Sequence, residues 1–286
     1  MALRPVDKLL ATYLGFVSIV ILARGNVLLP ANMGMLIAHV LFGALLFLFA
    51  KLEEGDSVGK IIHDAYPLLF ILPLYMEFGL FNDQLGLDYI LENDRQVQWM
   101  EDLLFGGQVS FTLIRDFPSV SLSWLLHLAY LAYYPIILVG PIWLFLRREN
   151  ERARSIVFTT TVAFVICYVF FVLYPVAGPN YAFEHPTGPV RDVLPARLVY
   201  SALSIGSSVG AAFPSSHVAA SLAATVALLN NWKPLGRAFV IPCLLLIVGT
   251  VYCQMHYGVD AMAGIFAGFA AAWIGIRLDG PATDRA

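Results

Sequence analysis

An all-α polytopic membrane bundle of about eight transmembrane helices is the fold class that this 286-residue sequence predicts, and three observations lead there. Hydrophobic residues make up 59% of the chain and charged residues only 13%, against about 25% charged in soluble domains. The mean hydropathy is +0.75. Apolar runs of helical length alternate with short charged clusters, the pattern of repeated membrane crossings. The net charge of -3 offers no basic surface to a polyanion, so a nucleic-acid partner has no support. Cys167, Cys243 and Cys253 are odd in number, far apart and in or beside apolar runs. They read as small packing residues, with no disulfide framework or metal cluster.

Spans of roughly 20 residues cross a hydrocarbon core about 30 Å thick, with allowance for tilt. The eight stretches that meet this description run approximately from Leu9 to Ala23, Met33 to Ala50, Ala65 to Phe81, Val120 to Leu146, Ser155 to Tyr174, Pro214 to Asn231, Ala238 to Met255 and His256 to Ile276. The first also has marks of a cleavable signal peptide: Arg4 and Lys8 precede it, and Ala23-Arg24-Gly25 is a small-x-small site. Its removal would leave the orientation of the rest unchanged.

Eight spans sort the loops into two alternating sets, and the basic residues choose between them. Arg4, Lys8, Lys51, Lys60, Arg147, Arg148, Arg152, Arg154, Lys233, Arg237, Arg277 and Arg285 fall in one set, and Arg24, Arg95, Arg115, Arg191 and Arg197 in the other. This asymmetry predicts an integral protein of the cell (inner) membrane with both termini cytoplasmic. The segments from Asn82 to Ser119 and Pro175 to Phe213, and the turn near His256, then lie on the extracytoplasmic side.

Between Asp83 and Asp116 the chain is too polar to span, yet Leu87, Ile90, Leu91, Val97, Trp99, Leu103 and Leu104 recur among acidic residues. This predicts an interfacial helix packed over the mouth of the bundle, ended by Gly106-Gly107 and Pro118.

The chemistry is concentrated in Ala212-Phe213-Pro214-Ser215-Ser216-His217 and in Val251 to Asp260, each followed by an apolar helix. Pro214 suits a first helical turn, so the backbone N–H groups of Ser215, Ser216 and His217 are placed to meet an anion such as a phosphate. His256 and Asp260 are four apart and share a helical face, which lets the carboxylate hold one ring nitrogen while the other stays free as a nucleophile. His217, on the same predicted side, is suited to general acid and base work. No cofactor is called for, and the loops lack the carboxylate cluster of a two-metal phosphotransferase. His39 and His127 are mid-span with no carboxylate four residues away, and read as packing residues.

These two motifs resemble those of the type 2 phosphatidic acid phosphatase superfamily, whose second and third motifs read P-S-G-H and S-R-x5-H-x3-D. Pro214-Ser215-Ser216-His217 and His256 to Asp260 match, and the resemblance covers roughly Tyr130 to Ile276. It implies a six-helix core in a catalytic membrane domain, residues 65–286 with the interfacial segment 83–118, preceded by two further spans in residues 1–64. It further implies metal-independent phosphohistidine chemistry with His256 as nucleophile, Asp260 as its orienting partner and His217 as acid and base.

Two features depart from the family pattern. The first motif, K-x6-R-P, has no good copy, and the Ser-Arg pair of the third falls on Gly249-Thr250. The loop after the fifth span instead offers Asn180 and Tyr181, with Arg191 and Arg197 as replacement cations or interfacial anchors. The Tyr174-Pro175 turn, the serine-rich histidine motif and His256-Tyr257-x-x-Asp260 look like the inositolphosphotransferase and inositol phosphorylceramide synthase-like branch. A phosphomonoester carries close to two charges and a diester one, so the loss of two cations favours transfer of a phospho-head group to a lipid alcohol. Hydrolysis of a lipid phosphate, phosphatidate or polyprenyl diphosphate, is the alternative; a transporter or a non-catalytic scaffold ranks below both. Membrane lipids are the substrates expected in any enzymatic reading.

Overall fold

The computed structural model describes residues 3–24, 28–52 and 57–279 of the protein; Gly25 of the small-x-small site and Arg285 of the basic set lie outside them. The described residues form helices and no strand. In chain order these are α1 (Pro5–Ala23), α2 (Pro30–Leu52), α3 (Ser57–Asp83), α4 (Leu87–Phe105), α5 (Val109–Asp116), α6 (Val120–Leu131), α7 (Tyr133–Leu146), α8 (Asn150–Leu173), α9 (Pro179–Ala182), α10 (Pro189–Asp192), α11 (Leu194–Gly206), α12 (Ser216–Asn231), α13 (Lys233–Tyr252) and α14 (Gly258–Asp279). The protein is an all-α integral membrane bundle.

Among the described residues, seven stretches are long and apolar enough to cross a membrane: α1, α2, α3, α6 with α7, α8, α13 and α14. The fourth expected span is broken, since Pro135 in the first turn of α7 has no N–H for the carbonyl a turn before it, and Ala132 closes α6 with bonds to Leu128 and Ala129. The expected span at Pro214 is α12, which has 16 residues, a length of about 24 Å. It compensates by position. α12 packs against α7, α8, α13 and α14, with Val218, Ala219, Ala220, Ala223, Ala224 and Leu228 fully buried. α3 begins at Ser57, so position 64/65 falls inside one helix, and residues of α1, α3, α8 and α12 share one apolar core.

Small residues set the closest approach in this core. A Cβ on Gly264 of α14 would stand 2.7 Å from the Ser215 carbonyl, and one on Gly268 would stand 2.9 Å from that of Ala219. With no hydrophobic drive between helices in lipid, such small-residue seams are what allow dispersion contacts to add up.

Buried ionisable groups join the first three helices. His39 Nε2 meets Glu77 Oε2 at 2.9 Å, its Nδ1 meets Ser18 Oγ at 2.9 Å, and the Tyr13 hydroxyl donates to Glu77 Oε1 at 3.1 Å. Nearer the start of α1, Asp7 accepts from Tyr66 at 2.5 Å and lies 3.2 Å from His63 Nε2. The sequence shows no carboxylate four residues from His39 because its partner comes from another helix. His127 donates or accepts at Ser123, one turn away. The three cysteines are free and buried.

At the end of the bundle where α12 and α14 begin, α4 and α5 form the expected polar cap over its mouth. Ile90, Asn93, Asp94, Val97 and Glu101 of α4 face inward. Residues 175–213, expected only as a loop, fold into α9, α10 and α11, with α11 packed on α6 and α10.

Two outcomes test this architecture. Gly264→Ala should lower the unfolding midpoint in detergent by the equivalent of about 1–3 kcal/mol through overpacking, whereas Gly43→Ala, whose added methyl meets open space, should leave it unchanged or raise it. A membrane-impermeant thiol reagent should reach exposed Trp99→Cys and Arg152→Cys from opposite sides of the membrane, and labelling of both from one side would overturn the expected orientation.

Candidate active site

Two extended segments lead into the site and lie side by side. Val176 N–H donates to the Gly210 carbonyl at 3.3 Å and Ala212 N–H to the Val176 carbonyl at 3.0 Å, a parallel bridge between Val176 and Ala211. The approach needs glycine: Gly178 has φ +94°, and a Cβ there would stand 2.9 Å from the Ala212 methyl. Pro214 precedes the helix rather than entering its first turn. Ser215 is the N-cap, its hydroxyl accepting from Val218 N–H at 3.4 Å. Ser215 N–H, expected to be free for an anion, donates to the Asp260 carbonyl at 3.0 Å. Ser216 and His217 remain, with first-turn N–H groups that no intrahelical carbonyl can reach.

The second histidine sits in the turn between α13 and α14. Met255 and His256 N–H groups both donate to the Thr250 carbonyl at 3.0 Å, and Gln254 takes φ +60° to make the turn. His256 Nδ1 donates to the Ala212 carbonyl at 3.0 Å, while Asp260 Oδ2 stands 3.6 Å away. This alters the expected pairing: the backbone carbonyl selects the tautomer, and Asp260 caps α14 by accepting from Tyr257 N–H at 2.8 Å. Nε2 keeps its lone pair. Burial pushes the His256 imidazole down to about 4, so the ring is neutral near pH 7.

His217 faces His256 with ring centroids 5.7 Å apart. Its ring lies between Tyr130 and Tyr133, at 4.9 and 4.5 Å, and its Nε2 is 3.2 Å from the Tyr130 hydroxyl. Nδ1 has no hydrogen-bond partner. Both histidines line a small cavity of about 50 Å³ with Tyr75, Tyr130, Asn180, Tyr181 and Ser207. Asn180 and Tyr181 thus stand beside the two histidines, and the Tyr181 hydroxyl meets Ser207 Oγ at 2.5 Å.

Among the described residues, no lysine or arginine lines that cavity. Arg191 and Arg197, expected as candidate cations for the phosphate, border a separate recess with Asp192, Tyr200 and Ser201. The Arg191 guanidinium lies over the Tyr200 ring at 4.4 Å, a contact that the α10–α11 corner enforces. Arg115 comes nearer in the chain of contacts but is engaged, donating to Gln254 Oε1 at 2.8 Å and to the Glu184 carbonyl at 2.6 Å.

Sequence reasoning missed the residues that hold these turns in place. Asp94 accepts from Ala177 and Gly178 N–H at 2.7 and 2.8 Å and from the Tyr257 hydroxyl at 2.9 Å. Glu101 accepts from Gly258 N–H at 2.8 Å and from the Ser110 hydroxyl at 2.9 Å. Burial raises both carboxyls above their ordinary values, and the N–H donors pull them partly back. A signal was present: Ile90, Asp94, Val97 and Glu101 fall at helical spacing, so two acids sit on the apolar stripe instead of opposite it. Asp94→Ala should therefore lower stability by about 1–3 kcal/mol for each N–H left unpaired, measured by thermal unfolding, with Asp94→Asn retaining part through its one remaining acceptor.

A family profile described as the PAP2 superfamily matches residues 101–274, more than half of the chain and wider than the stretch from Tyr130 expected from the motifs. Searches of curated proteins and of solved structures gave no match. With its two histidine motifs meeting in one cavity of a membrane bundle, the chain belongs to the PAP2 superfamily.

Proposed function

We propose that this protein is a lipid phosphotransferase of the inositolphosphotransferase-like kind, which takes a phosphodiester lipid as donor and passes the phospho-head group to a lipid alcohol. The observation that carries this reading is that, among the described residues, no lysine or arginine lines the cavity where two histidines face each other. A singly charged diester can be held there by the N–H groups of Ser216 and His217 and by the hydroxyl and amide groups of Tyr181 and Asn180, with the α12 dipole behind them. A doubly charged monoester lacks its counter-charge.

In the first half-reaction the His256 Nε2 lone pair attacks phosphorus, a P–N bond forms, and the P–O bond to the lipid alkoxide breaks. The leaving oxygen takes its proton from the imidazolium form of His217, whose partnerless Nδ1 is the nitrogen free to serve, and His217 is left neutral. In the second half His217 accepts the proton of the incoming alcohol, whose oxygen displaces His256. The ring carries positive charge while phosphorylated, and Asp260, 3.6 Å away with Oδ1 unpartnered, is placed to meet that charge. No metal enters any step.

His256→Ala should abolish turnover and the trapping of phosphorus on the protein, while Asp260→Asn should reduce kcat about 10²–10³-fold, since the Ala212 carbonyl still holds the tautomer. The reaction class is tested by supplying diester and monoester lipids with diacylglycerol or ceramide and identifying products by mass spectrometry. A head-group lipid that requires both a diester donor and an alcohol acceptor supports transfer; acceptor-independent release of phosphate from phosphatidate or a polyprenyl diphosphate overturns it in favour of hydrolysis.

A further inference from the structure

A second cavity of about 270 Å³ has His217 in its lining, just below the roughly 300–1,000 Å³ usual for ligand pockets. It shares Tyr75, Tyr130, Leu203, Ser207 and His217 with the histidine cavity, so the two adjoin at His217. Away from His217 its walls become aliphatic: Leu68, Ile71 and Leu72 of α3 face Ile137 and Leu138 of α7. The Tyr168 hydroxyl on its wall is taken up by the Ile71 carbonyl at 3.0 Å. Leu72 and Tyr134, from the two facing helices, line the cavity and are also exposed on the bundle surface, which gives it a side opening toward lipid.

We propose that this cavity seats one apolar chain of the phosphoester substrate, and that α3 sets the chain selectivity through Leu68, Ile71 and Leu72. The proposal rests on the reading of the histidine cavity as a phosphoester site, because adjacency to that cavity is what identifies the occupant. A phosphate held at Ser216 and His217 puts the adjoining part of its lipid at the mouth of an aliphatic slot, where each buried methylene contributes about 0.8 kcal/mol. α3 is anchored for this role. Ser208 N–H and Oγ bond the Tyr75 hydroxyl and carbonyl at 3.3 and 3.1 Å, and Asn82 Nδ2 donates to the Val209 carbonyl at 3.0 Å. α3 lies wholly outside residues 101–274, so the selectivity wall comes from the part of the chain that the family profile does not cover.

The test uses the full chain in lipid nanodiscs. Leu72→Trp and Ile71→Trp fill the slot; Leu69→Trp, on the exposed face of the same helix, is the control. For a dioleoyl phosphodiester donor, kcat/KM should fall about tenfold or more in the two slot variants and stay at the wild-type value in Leu69→Trp. With the water-soluble diester p-nitrophenyl phosphorylcholine all three should match the wild type. Equal losses on both substrates, or no loss on the dioleoyl donor, would overturn the proposal. A second measurement does not depend on turnover: a phosphodiester lipid with a diazirine in its acyl chain, added to His256→Ala, should crosslink to α3 and α7, and Leu72→Trp should suppress this. Labelling confined to other helices would overturn the chain seat even in an active enzyme, whereas correct labelling in a protein that turns over no diester would retain the seat and reject the proposed reaction.

Discussion

Irregular backbone at the end of a membrane bundle must find acceptors within the protein, and here two buried carboxylates of α4 supply them. Asp94 and Glu101 receive the N–H groups of Ala177, Gly178 and Gly258, the residues at which the chain leaves α8 and enters α14. A buried N–H left unpaired costs about 1–3 kcal/mol, so the turns keep this shape only while α4 lies over them. The consequence reaches the chemistry by a short route. Val176, next to Ala177, pairs with Gly210 and Ala212; the Ala212 carbonyl then receives His256 Nδ1. The cap helix thus fixes which nitrogen of His256 carries the proton without touching the ring.

The same economy of contacts governs how the two histidines meet. α12 has only 16 residues and is almost wholly buried, and its alanines allow α14 to approach until glycine is required at Gly264. Ser215 N–H, used on the Asp260 carbonyl, ties the start of α12 to the start of α14. Asp260 therefore serves twice, its carbonyl joining the two helix starts and its carboxylate capping α14 beside His256. A group with so many structural partners cannot be judged by loss of activity alone.

Most of the bundle was legible in the sequence because lipid imposes a coarse and strong rule, a long apolar run for each crossing. The two histidine motifs were legible because their spacing places them at helix starts. What escaped depends on contacts between elements distant in sequence: Glu77 for His39, the Ala212 carbonyl for His256, and the tyrosine pair around His217. Local spacing carries no information about a partner on another helix. The inward acids of α4 were a different kind of miss, since their periodicity was visible and only the assumption that acids face water hid it. Arg191 and Arg197 have a charge and loop position that suit a phosphate, and the fold of α10 and α11 sets them at a recess beside Tyr200, apart from the histidine cavity.

The placement of charge finally explains why a site with so few cations suits a membrane enzyme. A permanent arginine beside His256 would stabilise a bound dianion, but it would also have to be desolvated and paired whenever substrate was absent. Here the anion-facing groups are neutral N–H, hydroxyl and amide dipoles, and the buried carboxylates are held by N–H donors before any substrate arrives. In the proposed reaction the one positive charge passes from His217, as it protonates the leaving oxygen, to the phosphorylated His256, beside which Asp260 already stands. In the proposed reading such an arrangement discriminates by charge number, matching the monoanion of a diester and leaving the second charge of a monoester unmatched.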